Sequence, residues 1–207
     1  IAAFIATLVS LWHVTRVKPI YNIKVEKPTI SSHHIWKSPH FKRILRTVML
    51  THIPFFMVYP LVSLQLVNGL NAEESFIALF SLAELGGGIC IAAFASQWMR
   101  RWEQHHVMAT AMMGTGLAVA VIAVAPSVWL TLPAAFVLGG SWTMVGIGLM
   151  GLLSDGIAAE HALSTNMMFT QCVGLATFLG PILGNMMISG GIDLITVLII
   201  GAALRII

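Results

Sequence analysis

Charge is scarce in this chain. Of its 207 residues only 9% are Asp, Glu, Lys or Arg, while 57% are hydrophobic. A soluble globular domain carries roughly 25% charged residues. The deficit runs the whole length, with a mean hydropathy of +0.89, and indicates a polytopic membrane protein. Cysteine is almost missing as well. Cys90 and Cys172 both fall inside apolar stretches, so they give no disulfide framework and no redox compartment. No G-x-x-x-x-G-K-[ST] loop is present, which leaves ATP-driven transport unsupported, and no cofactor is expected. No nucleophile–base pair or clustered metal-ligand set appears, so an enzyme is not expected. The formal net charge of +3 does not imply a nucleic-acid partner, because the basic residues cluster beside apolar runs, where membrane orientation explains them. No secretory signal is visible. Ile1 opens inside an apolar run without a methionine or a basic n-region, and the chain is expected to begin partway through a longer protein.

What is present is a succession of apolar runs. Ser75 to Met99 is apolar apart from Glu84 and a few small polar residues, and it stops at Arg100-Arg101. As a helix it matches a bilayer core of about 30 Å. Ile1 to Val14 is short for a span and is followed by a polar stretch, Arg16 to Arg46, with Pro19, Pro28 and Pro39. That stretch reads as a linker, extended first and helical near its end. Spans are then expected at Thr47–Val67, Ser75–Met99, Val107–Ala125, Val128–Leu153, Ser164–Ile188 and Asp193–Ile207. Pro54 and Pro60 predict a kink or broken turn in the first of these.

Loop charge sets the expected topology. The linker and the Arg100-Arg101 loop are both basic and lie two spans apart. The turns at Asn68–Glu74, Pro126–Ser127 and Ser189–Gly191 hold no Lys or Arg. The basic loops are therefore expected in the cytoplasm, with Ser154–Leu163 joining them by parity.

A partial span, a basic linker and six closely connected spans resemble the second half of a major facilitator superfamily transporter. Two local motifs carry the likeness. Ala95-Ser96-Gln97-Trp98-Met99-Arg100-Arg101 keeps the basic pair of the family's D-R-x-G-R-R-like loop signature, without its aspartate and glycine. Ala176-Thr177-Phe178-Leu179-Gly180-Pro181-Ile182-Leu183-Gly184-Asn185 looks like the G-x-x-x-G-P-x-x-G-G pattern of proton-coupled exporters, with Ala and Asn at its ends. The resemblance implies an all-α fold. Residues 1–46 would hold the end of transmembrane helix six and the central cytoplasmic linker. Residues 47–207 would hold helices seven to twelve, the last one truncated. It implies a multi-pass protein of the plasma (inner) membrane that exports a small amphiphilic compound by alternating access, driven by protons. Uptake of a small metabolite by symport is the alternative, as is a transporter-like receptor or assembly subunit that moves nothing. The implied partners are the lipid bilayer, an N-terminal six-helix bundle of the same protein, a small-molecule substrate and protons.

Glu84 is the sharpest candidate. It lies about ten residues into its helix, roughly 15 Å deep. A carboxyl there has to face a cavity, find a partner or hold its proton. Ser81, Glu84, Gly88, Ala92 and Ala95 form a small, polar stripe on one helical face. The functional reading makes Glu84 and Ser81 part of a proton or substrate site. The plainer reading gives Glu84 an interhelical hydrogen bond to a Ser, Thr or Gln. Gln171 is deep in its span and is a further substrate candidate, whereas Gln65 and Asn166 lie near helix ends and suit the interface. Arg100 and Arg101 are expected to pair with Asp155 or Glu160 as a cytoplasmic gate. Gly180, Pro181 and Gly184 predict a bend and a close helix approach, since Pro181 removes the bond to the Thr177 carbonyl. Gly86-Gly87-Gly88 and Gly139-Gly140 are read as packing positions. His52 and Tyr59 share a face about 10 Å apart, with His52 read as packed or hydrogen-bonded. Trp142 and Thr143 are mid-span and could line a cavity. His33-His34 and His105-His106 are adjacent pairs rather than i, i+4 pairs, and the methionines are apolar filler, so no metal site is expected.

Overall fold

A computed structural model describes residues 39–155 and 162–206. The expected partial span at Ile1–Val14 and most of the linker lie outside these residues. Six α-helices run through the described part: α1 (Pro39–Leu64), α2 (Glu74–Arg101), α3 (Gln104–Val124), α4 (Thr131–Asp155), α5 (Ala162–Ser189) and α6 (Leu194–Ile206). Among the described residues there is no strand. Five segments are long and apolar enough to cross a membrane, and α6 is a shorter apolar helix. The molecule is a membrane-type helical bundle, with its helices where the apolar runs place them.

The boundaries have local causes. α1 starts at Pro39 rather than Thr47, because a proline is at ease in a first helical turn and Phe41 and Ile44 are buried. The helix runs on through Pro54 and Pro60, so of the expected kink or broken turn the broken turn does not occur, and a π-helical turn follows at Gln65–Gly69. There Gln65 is buried and donates from Nε2 to the Ala123 carbonyl at 3.2 Å, tying the end of α1 to the end of α3. Asn71 follows at φ 52°, a left-handed conformation that asparagine tolerates. Gly191 turns α5 into α6 at φ 91°, which only glycine adopts easily. Asp193 then accepts from the Thr196 backbone N–H at 2.9 Å and caps α6.

Packing follows an order different from the chain: α2 against α4, α4 against α3, α3 against α6, α6 against α1, and α1 against α5. α6 is thus held between α1 and α3, while α2 and α5 are the outer members. Burial agrees, at 17% for the apolar stretch of α2 and 22% for that of α5, against 50% for α1 and α3.

Two of these contacts are backbone-to-backbone. A Cβ on Gly87 would lie 1.9 Å from the Phe136 carbonyl oxygen, and one on Gly139 would lie 1.9 Å from the Glu84 carbonyl oxygen. α2 and α4 therefore cross where the glycine runs of both helices meet. At the α1–α5 contact a Cβ on Gly184 would lie 2.4 Å from the Met57 carbonyl oxygen, and one on Gly180 would lie 2.8 Å from Met57 N. Small residues let these helices approach, as their spacing predicts. α5 itself runs on through Pro181 as one helix.

The apolar core comes in two main blocks. One joins Phe55–Leu66, Phe76, Phe80, Ala118–Ala123, Ala134–Leu138 and Val197–Ala202. The other joins Ile44, Val48, Ala95, Val107–Ala111, Met144–Leu153, Phe169 and Cys172. Between them along α1, α3 and α6 lie the buried polar side chains Thr51, His52, Thr115 and Arg205.

Candidate functional site

Glu84 lies at this intermediate level on α2. Tyr59 of α1 donates its hydroxyl to Glu84 Oε2 at 3.1 Å. The interhelical partner is thus a tyrosine, not the Ser, Thr or Gln that the sequence suggested. Tyr59, Ser81, Glu84, Gly88, Gly139, Trp142 and Thr143 line a cavity of about 540 Å³. The polar stripe of α2 therefore forms one wall. Ser81 and Thr143 turn their hydroxyls to carbonyls one helical turn back, Ile77 at 3.0 Å and Gly139 at 2.9 Å. Each keeps oxygen lone pairs for a visitor. Apolar Leu85 and Ile89 complete the lining. A smaller cavity of about 410 Å³ lies among α2, α3 and α4, lined by Trp98, Trp102, Thr110 and Ser141 among others, with no ionisable side chain. It can hold an apolar group but offers no charge.

An aromatic cluster stands behind the Glu84 cavity. Tyr59 stacks on Phe55 with centroids 5.2 Å apart, and Phe55 stacks on Trp142 at 3.8 Å with planes 8° apart. His52 meets the Trp142 edge at 5.1 Å. Its Nδ1 lies 2.9 Å from Thr51 Oγ1 and 3.1 Å from the Val48 carbonyl, the packed and hydrogen-bonded histidine that its position suggested. On this cluster rests Arg205 of α6, only 1% exposed, with its guanidinium carbon 5.3 Å from the Phe55 centroid and 5.8 Å from that of Trp142. Such distances allow a cation–π attraction.

Arg205 is the residue that sequence reasoning missed. A basic residue near the end of a short apolar run reads as a flanking charge. The available signal was its depth. It lies eleven residues into α6 from the Gly191 turn, about 16 Å by helical rise and close to the depth of Glu84.

The remaining candidates distribute as follows. Gln171 is exposed on α5 and does not line the Glu84 cavity, because depth does not fix which way a helix face turns. Gly180 and Gly184 form the α1 contact described above. Arg100 and Arg101 are exposed in the last turn of α2, where positive charge suits the helix dipole. Their expected partners fall outside the described side chains: α4 ends at Asp155, and Glu160 lies in the interval between α4 and α5. Glu103, His105 and His106 open α3 with donor atoms within 4.8 Å of one another, all exposed, and His105 Nε2 lies 3.3 Å from Glu103 Oε2. The adjacent histidines thus converge through the glutamate that precedes them, which their spacing alone does not reveal. Comparison of the chain with family models, curated proteins and solved structures gives no match, so the reading of function rests on this geometry.

Proposed function

We propose that this chain is the C-terminal half of a major facilitator-type secondary transporter, and that Glu84 carries the coupled proton. The observation that carries the reading is the placement of Glu84. It is a lone carboxyl at mid-span depth, bonded to Tyr59 and lining a cavity with polar and aromatic walls. Intramembrane acids mark ion and substrate pathways. The two least covered helices, α2 and α5, stand at the ends of the packing order. An N-terminal six-helix bundle of the same protein would close the cavity from the α2 side, and alternate rocking of the bundles would expose it to each side in turn. Proton-driven export of a small amphiphilic compound across the plasma membrane suits a cavity that joins a carboxyl to aromatic and aliphatic walls.

Glu84→Gln keeps the hydrogen bond from Tyr59 but cannot exchange a proton. In the intact protein in proteoliposomes it is expected to abolish gradient-driven accumulation while downhill counterflow persists. Full gradient-driven transport by Glu84→Gln would remove the coupling role and leave the residue as a packing hydrogen bond.

A further inference from the structure

An arginine keeps its charge at any physiological pH, and burying one away from a counter-charge carries a heavy desolvation penalty. Arg205 is in that position. Its Nε–H donates to Thr115 Oγ1 at 2.5 Å, and the Thr115 hydroxyl in turn donates to the Met112 carbonyl at 2.8 Å. Nη1 donates to the Thr51 carbonyl. Both acceptors are neutral. Nη2 is buried with no hydrogen-bond partner. Among the described residues no carboxylate lies within 4.0 Å of it, the ion pairs there being those of Glu103 with His105 and His106. The guanidinium therefore has two anchored nitrogens and one open one, a geometry suited to receiving an anion.

The guanidinium and the Glu84 cavity share a neighbour, Trp142. Trp142 lines the cavity and also covers the guanidinium, with its ring stacked on Phe55. We propose that Arg205 is the anion-binding group of the transport site, and that its free Nη2 receives the carboxylate of an amphiphilic organic anion once the Trp142 ring moves aside. Leu85, Ile89 and Tyr59 offer walls for the apolar body. Glu84 lines the same cavity as Trp142. Ionised, it repels the anion; protonated, it can donate a hydrogen bond to it. Tyr59 of α1 is the titratable group bonded to Glu84, His52 of α1 is the titratable group beside Arg205 and the Trp142 edge, and the α4 residues at the cavity, Gly139, Trp142 and Thr143, do not titrate near neutral pH. Anion entry thus favours a protonated Glu84, which links the anion to the proton. This inference deepens the transporter reading and rests on it for its biological use. Carboxylate chemistry also has a source inside the chain, Glu84 itself, should the two walls close.

The test is binding to the intact protein in detergent, read as thermal protection and tryptophan quenching. The probes are acetate, hexanoate and benzoate, with benzyl alcohol and benzylammonium as neutral and cationic controls. The carboxylates, and not the controls, are expected to protect the wild type, with at least a tenfold loss of apparent affinity in Arg205→Gln. Trp142→Leu removes the partition and is expected to bind benzoate at least threefold faster, which keeps the test decisive if Arg205→Gln does not fold. Carboxylate binding that appears only in Glu84→Gln would mean that Glu84 fills the site, and would overturn a substrate role. Binding retained by Arg205→Gln, unchanged kinetics in Trp142→Leu, or no binding in any variant would overturn the anion site. Binding without counterflow removes the transporter reading and leaves this one. Counterflow of a cation with no carboxylate binding does the reverse.

Discussion

Glu84 and Arg205 enter the bundle from the same end and reach nearly the same depth, yet they are held in opposite ways. Glu84 is placed by backbone. Its carbonyl presses on Gly139 so closely that no side chain fits between them, and its carboxyl is left facing a cavity with one hydrogen bond. Arg205 is placed by its own side chain. Thr115, the Thr51 carbonyl and two aromatic rings grip it, and the helix that bears it is enclosed by α1 and α3. An ionisable group on a glycine crossing can be reached by water and small molecules. A group gripped by neutral partners is kept away from both until a side chain moves. The pair therefore gives one ionisable group that opens on a cavity and one that is covered.

The largest way to break this contrast is at the crossing. Gly139→Ala puts a methyl 1.9 Å from the Glu84 carbonyl oxygen, where only helix separation can relieve it. Overpacking of this kind costs about 1–3 kcal/mol, and a backbone neighbour places it at the upper end. Gly146→Ala is the control, because a Cβ there meets nothing within 4 Å. Thermal unfolding in detergent is expected to separate the two variants clearly. Equal melting would mean that α2 and α4 are not in backbone contact.

Removing one hydrogen-bond partner from each charge sharpens the contrast on a smaller scale. Thr115→Val preserves shape and deletes the acceptor of Arg205 Nε, leaving a buried cation with one bond fewer. A bond to a buried charge is worth about 1.5–3 kcal/mol. Tyr59→Phe deletes the donor to Glu84, but Tyr59 is 39% exposed and water can replace it. The expected loss is no more than about 1 kcal/mol. Reversal of that order would place Arg205 in contact with water and end the description of a covered charge.

These two groups also mark how far the sequence can be read. The six helices were legible because apolar runs are interrupted by turn residues whose chemistry is local, as at Asn68–Asn71 and Gly190–Gly191. Glu84 stood out because a lone acid inside such a run has to face a cavity, find a partner or hold its proton. The glycine crossings were legible as packing positions, though not which helices they join. Chain order puts α2 next to α3, while the structure packs it on α4. That Gln171 does not line the Glu84 cavity was hidden for a related reason, since depth along a helix follows from counting and rotation does not. Tyr59 as the partner of Glu84 and the Phe55–Trp142 stack depend on contacts between helices that no local pattern encodes. Arg205 was hidden by position, since it lies near the end of a short run, where a basic residue ordinarily marks an interface.

The smallest expected effect tests whether Arg205 is positioned from its own end of α6 or from the other. Asp193 caps the first turn of the helix. It accepts from the Thr196 hydroxyl at 2.6 Å and from the Thr196 backbone N–H at 2.9 Å. Those bonds, the hydroxyl's first, hold its carboxyl below the usual range. A depressed carboxyl contributes stability that is present above its unfolded value of about 3.9 and is lost as pH falls through the lower folded value. Asp193 is fully exposed, so the increment is small. Hydrogen exchange of the Thr196 amide is expected to quicken as pH falls below about 4, beyond the intrinsic trend, in the wild type. In Asp193→Asn, which keeps a neutral acceptor, the excess is expected to vanish. In both proteins carboxylate protection through Arg205 should stay within twofold, because Thr51 and Thr115 fix the guanidinium about three turns away. Loss of that protection in Asp193→Asn would mean that the cap sets the register of α6, and that Arg205, like Glu84, is placed by its backbone.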